Sequence, residues 1–358
     1  MNRGADIKLL SKHRGAIMGV AIIMILLCHS TLVFDGVSGI VYDSARRFLQ
    51  IGVDIFLFVS GLGCCFSLNK NSKLFGFYFK RGIKILVPYC LVLAIWALVQ
   101  PLIHIETGIV GFVYKYSLVT FFLRGELSSW YVAAILVLYM AAPFNYMVLK
   151  RSKKLFCVMT GASLLVAVGL TLILGNLGDG EIVRVAKVIV DVFVVRVPVF
   201  CVGMLLGDEI YNGKERSVSY KVVALIFALF IALFALNDIV FPGEKWVFGQ
   251  WFINRFLYQF GAVCIALLLG GFFERVARRR IYSFFVGAGA VTFELYLIHE
   301  KVLMFTDEYI AKLFSTELAG SIASNACAIA IAVVAALLIH KLAQKLSSKI
   351  QSMIKRKQ

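Results

Sequence analysis

The sequence predicts an all-α integral membrane protein, a bundle of about ten transmembrane helices with both termini cytoplasmic. Three observations carry this expectation. The 358 residues are 61% apolar and only 16% charged, with a mean hydropathy of +0.88, more apolar surface than one water-soluble core of this size can bury. The apolar residues fall in runs of about 20, the length a helix needs to cross the hydrocarbon slab. The basic residues, which give a net charge of +17, gather in every second interruption between those runs.

The runs cover residues 15–34, 48–68, 84–104, 128–149, 155–175, 188–207, 221–241, 252–272, 281–304 and 321–340. The first follows Arg3, Lys8, Lys12 and Arg14 and has the flank of a signal peptide. It lacks a small-residue cleavage site, however, and Leu27 before Cys28 spoils a lipoprotein box, so it stays a helix. Runs two and three are separated by Lys70, Lys73, Lys80, Arg81 and Lys84, four and five by Lys150, Arg151, Lys153 and Lys154. Lys214, Arg216 and Lys221 lie between six and seven, and Arg275, Arg278, Arg279 and Arg280 between eight and nine. The tail adds Lys341, Lys345, Lys349, Lys355, Arg356 and Lys357. Basic loops face the cytoplasm, so the number of crossings is even. The longest outer connection, 105–127, contains Phe112, Tyr114, Tyr116, Phe121 and Phe122 and suits a segment lying in the interface or dipping back into the protein. With five prolines, no linker and no repeat of fixed period, residues 1–358 read as a single multi-span domain of the plasma membrane.

Several function classes lose their footing at this point. The basic excess reports topology, which argues against a nucleic-acid partner. The eight cysteines sit inside apolar runs without a C-x-x-C pair and read as small hydrophobes. No Walker loop, H-E-x-x-H or G-x-S-x-G occurs, and no bound metal is expected. Function therefore rests on polar groups inside the membrane, where ionisable side chains are costly and face a cavity or a partner. These are His29, Asp54, Asp191, Arg196, Asp238, Arg255, Glu294 and His299.

His29 stands out, because imidazole titrates near neutral pH and serves as a general base without a large shift. On one helix it lies about 22 Å beyond Arg14, so one end can hold a cytoplasmic anion while the other does chemistry. The competing reading is a packing histidine bonded to a neighbouring helix. Asp54 either orients His29 as a carboxylate partner or ends in a buried hydrogen bond. Lys80, Arg81 and Lys84 sit where a cytoplasmic loop becomes a helix, as either a phosphate site or ordinary positive-inside charge. Trp130 and Tyr131 are either interfacial anchors or a stacking platform for a sugar. Glu294 and Tyr296 are two apart and share a helical face poorly, whereas Tyr296 and His299 share one. His299 approaches the outer surface, as an acceptor-binding or a solvated residue.

Six stretches in order, RGAIMGVAIIMILLCH (14–29), GVDIFLFVSG (52–61), FYFKRGIKILVPY (77–89), WYVAAILVLYMAAP (130–143), RVPVFCVGMLLG (196–207) and TFELYLIH (292–299), make the chain resemble the acyltransferase 3 family of integral-membrane acyltransferases. The resemblance implies transfer of an acetyl or other short acyl group from acyl-coenzyme A, most simply acetyl-CoA, to a hydroxyl of a lipid-linked sugar or cell-surface polysaccharide, with no permanently bound cofactor. It implies that His29 is the catalytic base, for which Asp54, from the residue reading above, is the candidate catalytic partner. The family's basic pair at the start of the third helix maps onto Arg81 and Lys84. Its basic residue eleven positions before the histidine falls on Met18, with Arg14 one turn further out. Arg14, Arg81 and Lys84 are thus the expected donor site, and Trp130, Tyr131, Glu294 and His299 the expected acceptor site. The alternative for ten helices with buried charge is a transporter or flippase of a lipid-linked glycan or small polar solute.

Overall fold

The computed structural model describes residues 4–70, 74–105, 108–178, 180–240 and 250–355. Arg3, Lys73, Arg356, Lys357 and the last residue of the seventh run lie outside the described residues. The chain is almost wholly helical, as a bilayer demands of a backbone that must satisfy its own hydrogen bonds. In order the helices are α1 (Lys8–Lys12), α2 (Arg14–Cys28), α3 (Gly36–Leu49), α4 (Ile51–Lys70), α5 (Leu74–Val99), α6 (Ile109–Lys115), α7 (Leu118–Arg124) and α8 (Trp130–Arg151). They continue as α9 (Lys153–Gly175), α10 (Glu181–Val192), α11 (Val197–Tyr211), α12 (Tyr220–Val240), α13 (Gln250–Val276), α14 (Arg280–Ala290), α15 (Thr292–Tyr309) and α16 (Glu317–Lys355).

The expected bundle of about ten helices is met in part, with nine spans among the described residues if the bent pair of α14 and α15 counts as one. Among the described residues eight helical stretches are long and apolar enough to cross a membrane. The first run is a shorter helix: α2 stops at Cys28, and residues 29–34 leave it to run along α16. There the Thr31 N–H donates to Asn325 Oδ1 at 3.2 Å and the Val33 N–H to Ser321 Oγ at 3.3 Å, so side chains of the last helix replace the bonds that the helix end gives up. The ninth run is broken, with α14 and the stretch from Thr292 to Leu313 meeting at 76°. At that break the Thr292 hydroxyl donates to the Gly289 carbonyl at 2.6 Å, a side chain inserted into the helical ladder.

The centre of the bundle is α4, buried along nearly all of its length. It packs on α11 at backbone contact: a Cβ on Gly61 would stand 2.1 Å from the Phe200 carbonyl oxygen, and one on Gly203 only 2.0 Å from that of Phe58. Without a hydrophobic drive between helices in lipid, such small-residue crossings supply the van der Waals contact that holds them. Methyl groups at either glycine would force the two helices apart.

The basic loops meet at one end. There β1 (Gly4–Asp6) pairs antiparallel with β2 (Ser217–Ser219), Gly4 opposite Ser219. Lys12 binds Glu274 at 2.7 Å, and Lys150 binds Asp208 at 2.5 Å. At the far end α6 and α7 present Ile109, Val110, Val113 and Leu123 outward, as interfacial helices do. Trp96 and Tyr116, joined by a 2.7 Å hydrogen bond from the indole, tie this segment to α5.

Candidate active site

Two cavities enter the bundle. The one at the basic end, about 560 Å³, is bounded by Arg14, Arg81 and Lys84. A neighbouring recess of about 480 Å³ shares those three residues. The Arg81 guanidinium donates to the Gly63 carbonyl at 2.6 Å and lies over the Tyr139 ring at 5.0 Å. A Cβ on Gly63 would meet the Arg14 guanidinium at 3.1 Å and that of Arg81 at 3.5 Å, so the bare glycine is what lets both converge. Arg14 thus reaches the wall that Met18 also lines, from one turn further out. Among the described residues no carboxylate lies within 4.0 Å of Arg14, Arg81 or Lys84. Three gathered cations of which none has a carboxylate in contact suit an anion, whose charge would offset their mutual repulsion.

The far wall of this cavity comes from α16, where His340, Gln344, Ser347, Ser348 and Gln351 recur at helical spacing on one face. Glu294 is here too, bonded to His340 Nδ1 at 2.9 Å. Glu294 was expected on the acceptor side and is instead at the basic-end cavity. Tyr131, expected with Trp130, also lines this cavity, because consecutive helical residues point about 100° apart. Glu294 and Tyr296 line it together despite their spacing of two.

The second cavity, about 440 Å³, opens at the far end and is lined by His29, Trp130, Gln50, Asp43 and Asp191 with four arginines. Each arginine has a carboxylate: Arg46 with Asp43 at 3.9 Å, Arg47 with Asp238 at 2.9 Å, Arg196 with Asp54 at 3.4 Å and Arg255 with Asp191 at 3.3 Å. Asp54 is therefore not the partner of His29. It is fully buried against Arg196, which also donates to the Val192 carbonyl at 2.6 Å and stacks over Trp130 at 5.3 Å. Removing either member of such a pair strands the other charge, at a cost of about 3–5 kcal/mol.

His29 caps α2, and both of its ring nitrogens have close partners. Its Nδ1 is 3.0 Å from the Ile25 carbonyl and 3.2 Å from His299 Nε2. His299 is buried, not at the surface as expected, and its Nδ1 faces the carbonyls of Leu295 and Tyr296 at 3.1 and 2.9 Å. Carbonyl oxygens only accept, so both Nδ1 atoms carry the hydrogen. His299 Nε2 then accepts from His29, and the lone pair of neutral His29 is on Nε2. That atom lies 3.1 Å from Oε1 of Glu300, a carboxylate oxygen that accepts from Nε2 only when that nitrogen carries a proton. Glu300 was not singled out in the sequence; its signal was adjacency to His299 at the end of TFELYLIH. Among the described residues His29, His299 and Glu300 also offer donor atoms within 4.8 Å of one another, a set able to hold a metal ion.

The structure is thus a bundle of membrane helices with a cation-lined cavity at one end and a histidine-lined cavity at the other. The model of the acyltransferase 3 family, described as an acyltransferase domain, matches residues 17–341, and the chain belongs to that family. No curated protein and no solved structure matches the chain.

Proposed function

We propose that this membrane acyltransferase moves a short acyl group from acyl-coenzyme A to a hydroxyl of a lipid-linked sugar or surface polysaccharide, with His29 as general base. The observation that carries the reading is the arrangement along α2: Arg14 joins a cluster of cations in one cavity, and His29, at the other end of the helix, lines the second. The donor's phosphates suit Arg14, Arg81 and Lys84, with Lys84 acting as a point charge and the two guanidiniums as forks. The neutral amides and hydroxyls of α16 suit a base and ribose. Phe56, Ile85, Pro88 and Ile135 form an apolar path for the pantetheine arm toward Tyr131 and Tyr296.

The balanced charges of the second cavity suit an uncharged polyhydroxylated ring, to which paired carboxylates and guanidiniums offer hydrogen bonds in both senses, with Trp130 as an apolar face. In a ternary complex His29 Nε2 takes the proton of the acceptor hydroxyl as its oxygen attacks the thioester carbonyl, so no acyl-enzyme is required. The basic end is then cytoplasmic and the second cavity faces outward.

The test is direct. Purified protein in detergent or vesicles, given acetyl-CoA labelled in the acetyl group, moves label into lipid-extractable or polysaccharide material bearing sugar hydroxyls. Absence of transfer from any short acyl-coenzyme A, with glycan crossing the vesicle wall in its absence, would assign the two cavities to transport.

A further inference from the structure

The cation-lined cavity and the His29 cavity have one lining residue in common, Tyr296. Its ring centroid is 4.7 Å from that of Tyr131, in the wall of the first cavity, and 5.9 Å from that of His299, whose Nε2 bonds His29 in the second. A thioester arriving through one cavity and a hydroxyl bound in the other can meet only at this boundary, so the charge of the tetrahedral intermediate develops beside this side chain.

An oxyanion needs a donor held in place before the charge appears. Several other polar groups around the junction already have partners. The Arg196 side chain donates to the Val192 carbonyl and to Asp54, Arg255 to Asp191 and Gln50, and the Thr292 hydroxyl to Gly289. Arg81 reaches Tyr139 and the Gly63 carbonyl. Tyr296 lines both cavities, and among the described residues no hydrogen bond of its hydroxyl is found.

We propose that the Tyr296 hydroxyl is a catalytic hydrogen-bond donor to the thioester carbonyl oxygen, a role that rests on the acyl-transfer reading above. The acceptor oxygen bonds the carbonyl carbon while its proton passes to His29 Nε2. The π electron pair moves onto the carbonyl oxygen, which the Tyr296 O–H holds. On collapse the C–S bond breaks, and the sulfur leaves with the proton that His29 carries. Tyr296 keeps its own proton throughout.

Tyr296→Phe removes one oxygen and leaves the ring that forms the wall. The expected result is a fall of about a hundredfold or more in kcat, the loss typical of one oxyanion donor, with coenzyme A affinity and melting temperature as in the native protein. Tyr296→Phe that turns over at the native rate overturns the proposal while leaving the acyl-transfer reading intact, because His29→Ala still abolishes transfer. Loss of coenzyme A binding or of thermal stability together with activity makes Tyr296 a wall and also overturns it. If the native protein transfers no acyl group, both the reading and the proposal fall, and that outcome is visible before any variant is made.

Discussion

His29 shows how one side chain is specified by its neighbours. Two backbone carbonyls on α15 orient His299, which orients His29, which leaves a single basic nitrogen. His29→Ala is expected to lower the chemical step at least about a hundredfold with donor affinity retained, and His29→Gln to be nearly as poor, since an amide keeps a hydrogen bond but cannot take a proton. Glutamine restoring full transfer would make the residue structural. The same assay with a chelator separates base from metal ligand. Unchanged rates are expected; loss on chelation and recovery with zinc would assign the His29, His299 and Glu300 cluster to an ion.

At the scale of elements, α2, α15 and α16 join α5 and α8 in building the two cavities. The bend between α14 and α15 brings Glu294 and Tyr296 to the first cavity while His299 meets His29 at the second. The long α16 carries Lys341, Lys345 and Lys349 away from the cavity-lining stripe of Gln344 and Gln351, so the stripe is neutral although the helix end is basic. Arg81→Ala with Lys84→Ala is expected to raise the acetyl-CoA concentration for half-maximal rate at least tenfold, while acceptor dependence stays put. Gln344→Leu with Gln351→Leu is expected to weaken acetyl-CoA in the same way but to leave acetyl-pantetheine, which has no nucleotide, untouched. Equal losses for both donors would place the stripe outside nucleotide recognition.

For the whole molecule the prediction is orientation. Single cysteines at Lys70, Lys153 and Arg279 in a cysteine-free background are expected to label only from the cytoplasmic side, and one at Asp43 only from the outside. The reverse pattern would turn the donor cavity away from the cell's coenzyme A and defeat the proposed reaction.

Much of this protein is local in origin. A composition that cannot fold in water, runs of membrane-spanning length and the lipid's demand for internally bonded backbone leave helices as the only outcome, and each of those conditions is written along a short stretch of chain. His29 stands out in the sequence for the same reason, as a costly polar group in an apolar run, and Arg14, Arg81 and Lys84 stand out at helix starts, where the family resemblance makes them a candidate donor site. Which groups face each other depends on how helices rotate, cross and bend, and that is decided between segments far apart in sequence. Residue spacing carries no sign that Asp54 pairs with Arg196 rather than His29, that Glu300 flanks His29, or that Tyr131 and Glu294 line the other cavity. The break at Val291 and the glycine contacts between α4 and α11 settle those pairings, because a bend or a one-residue rotation moves a side chain from one cavity to the next.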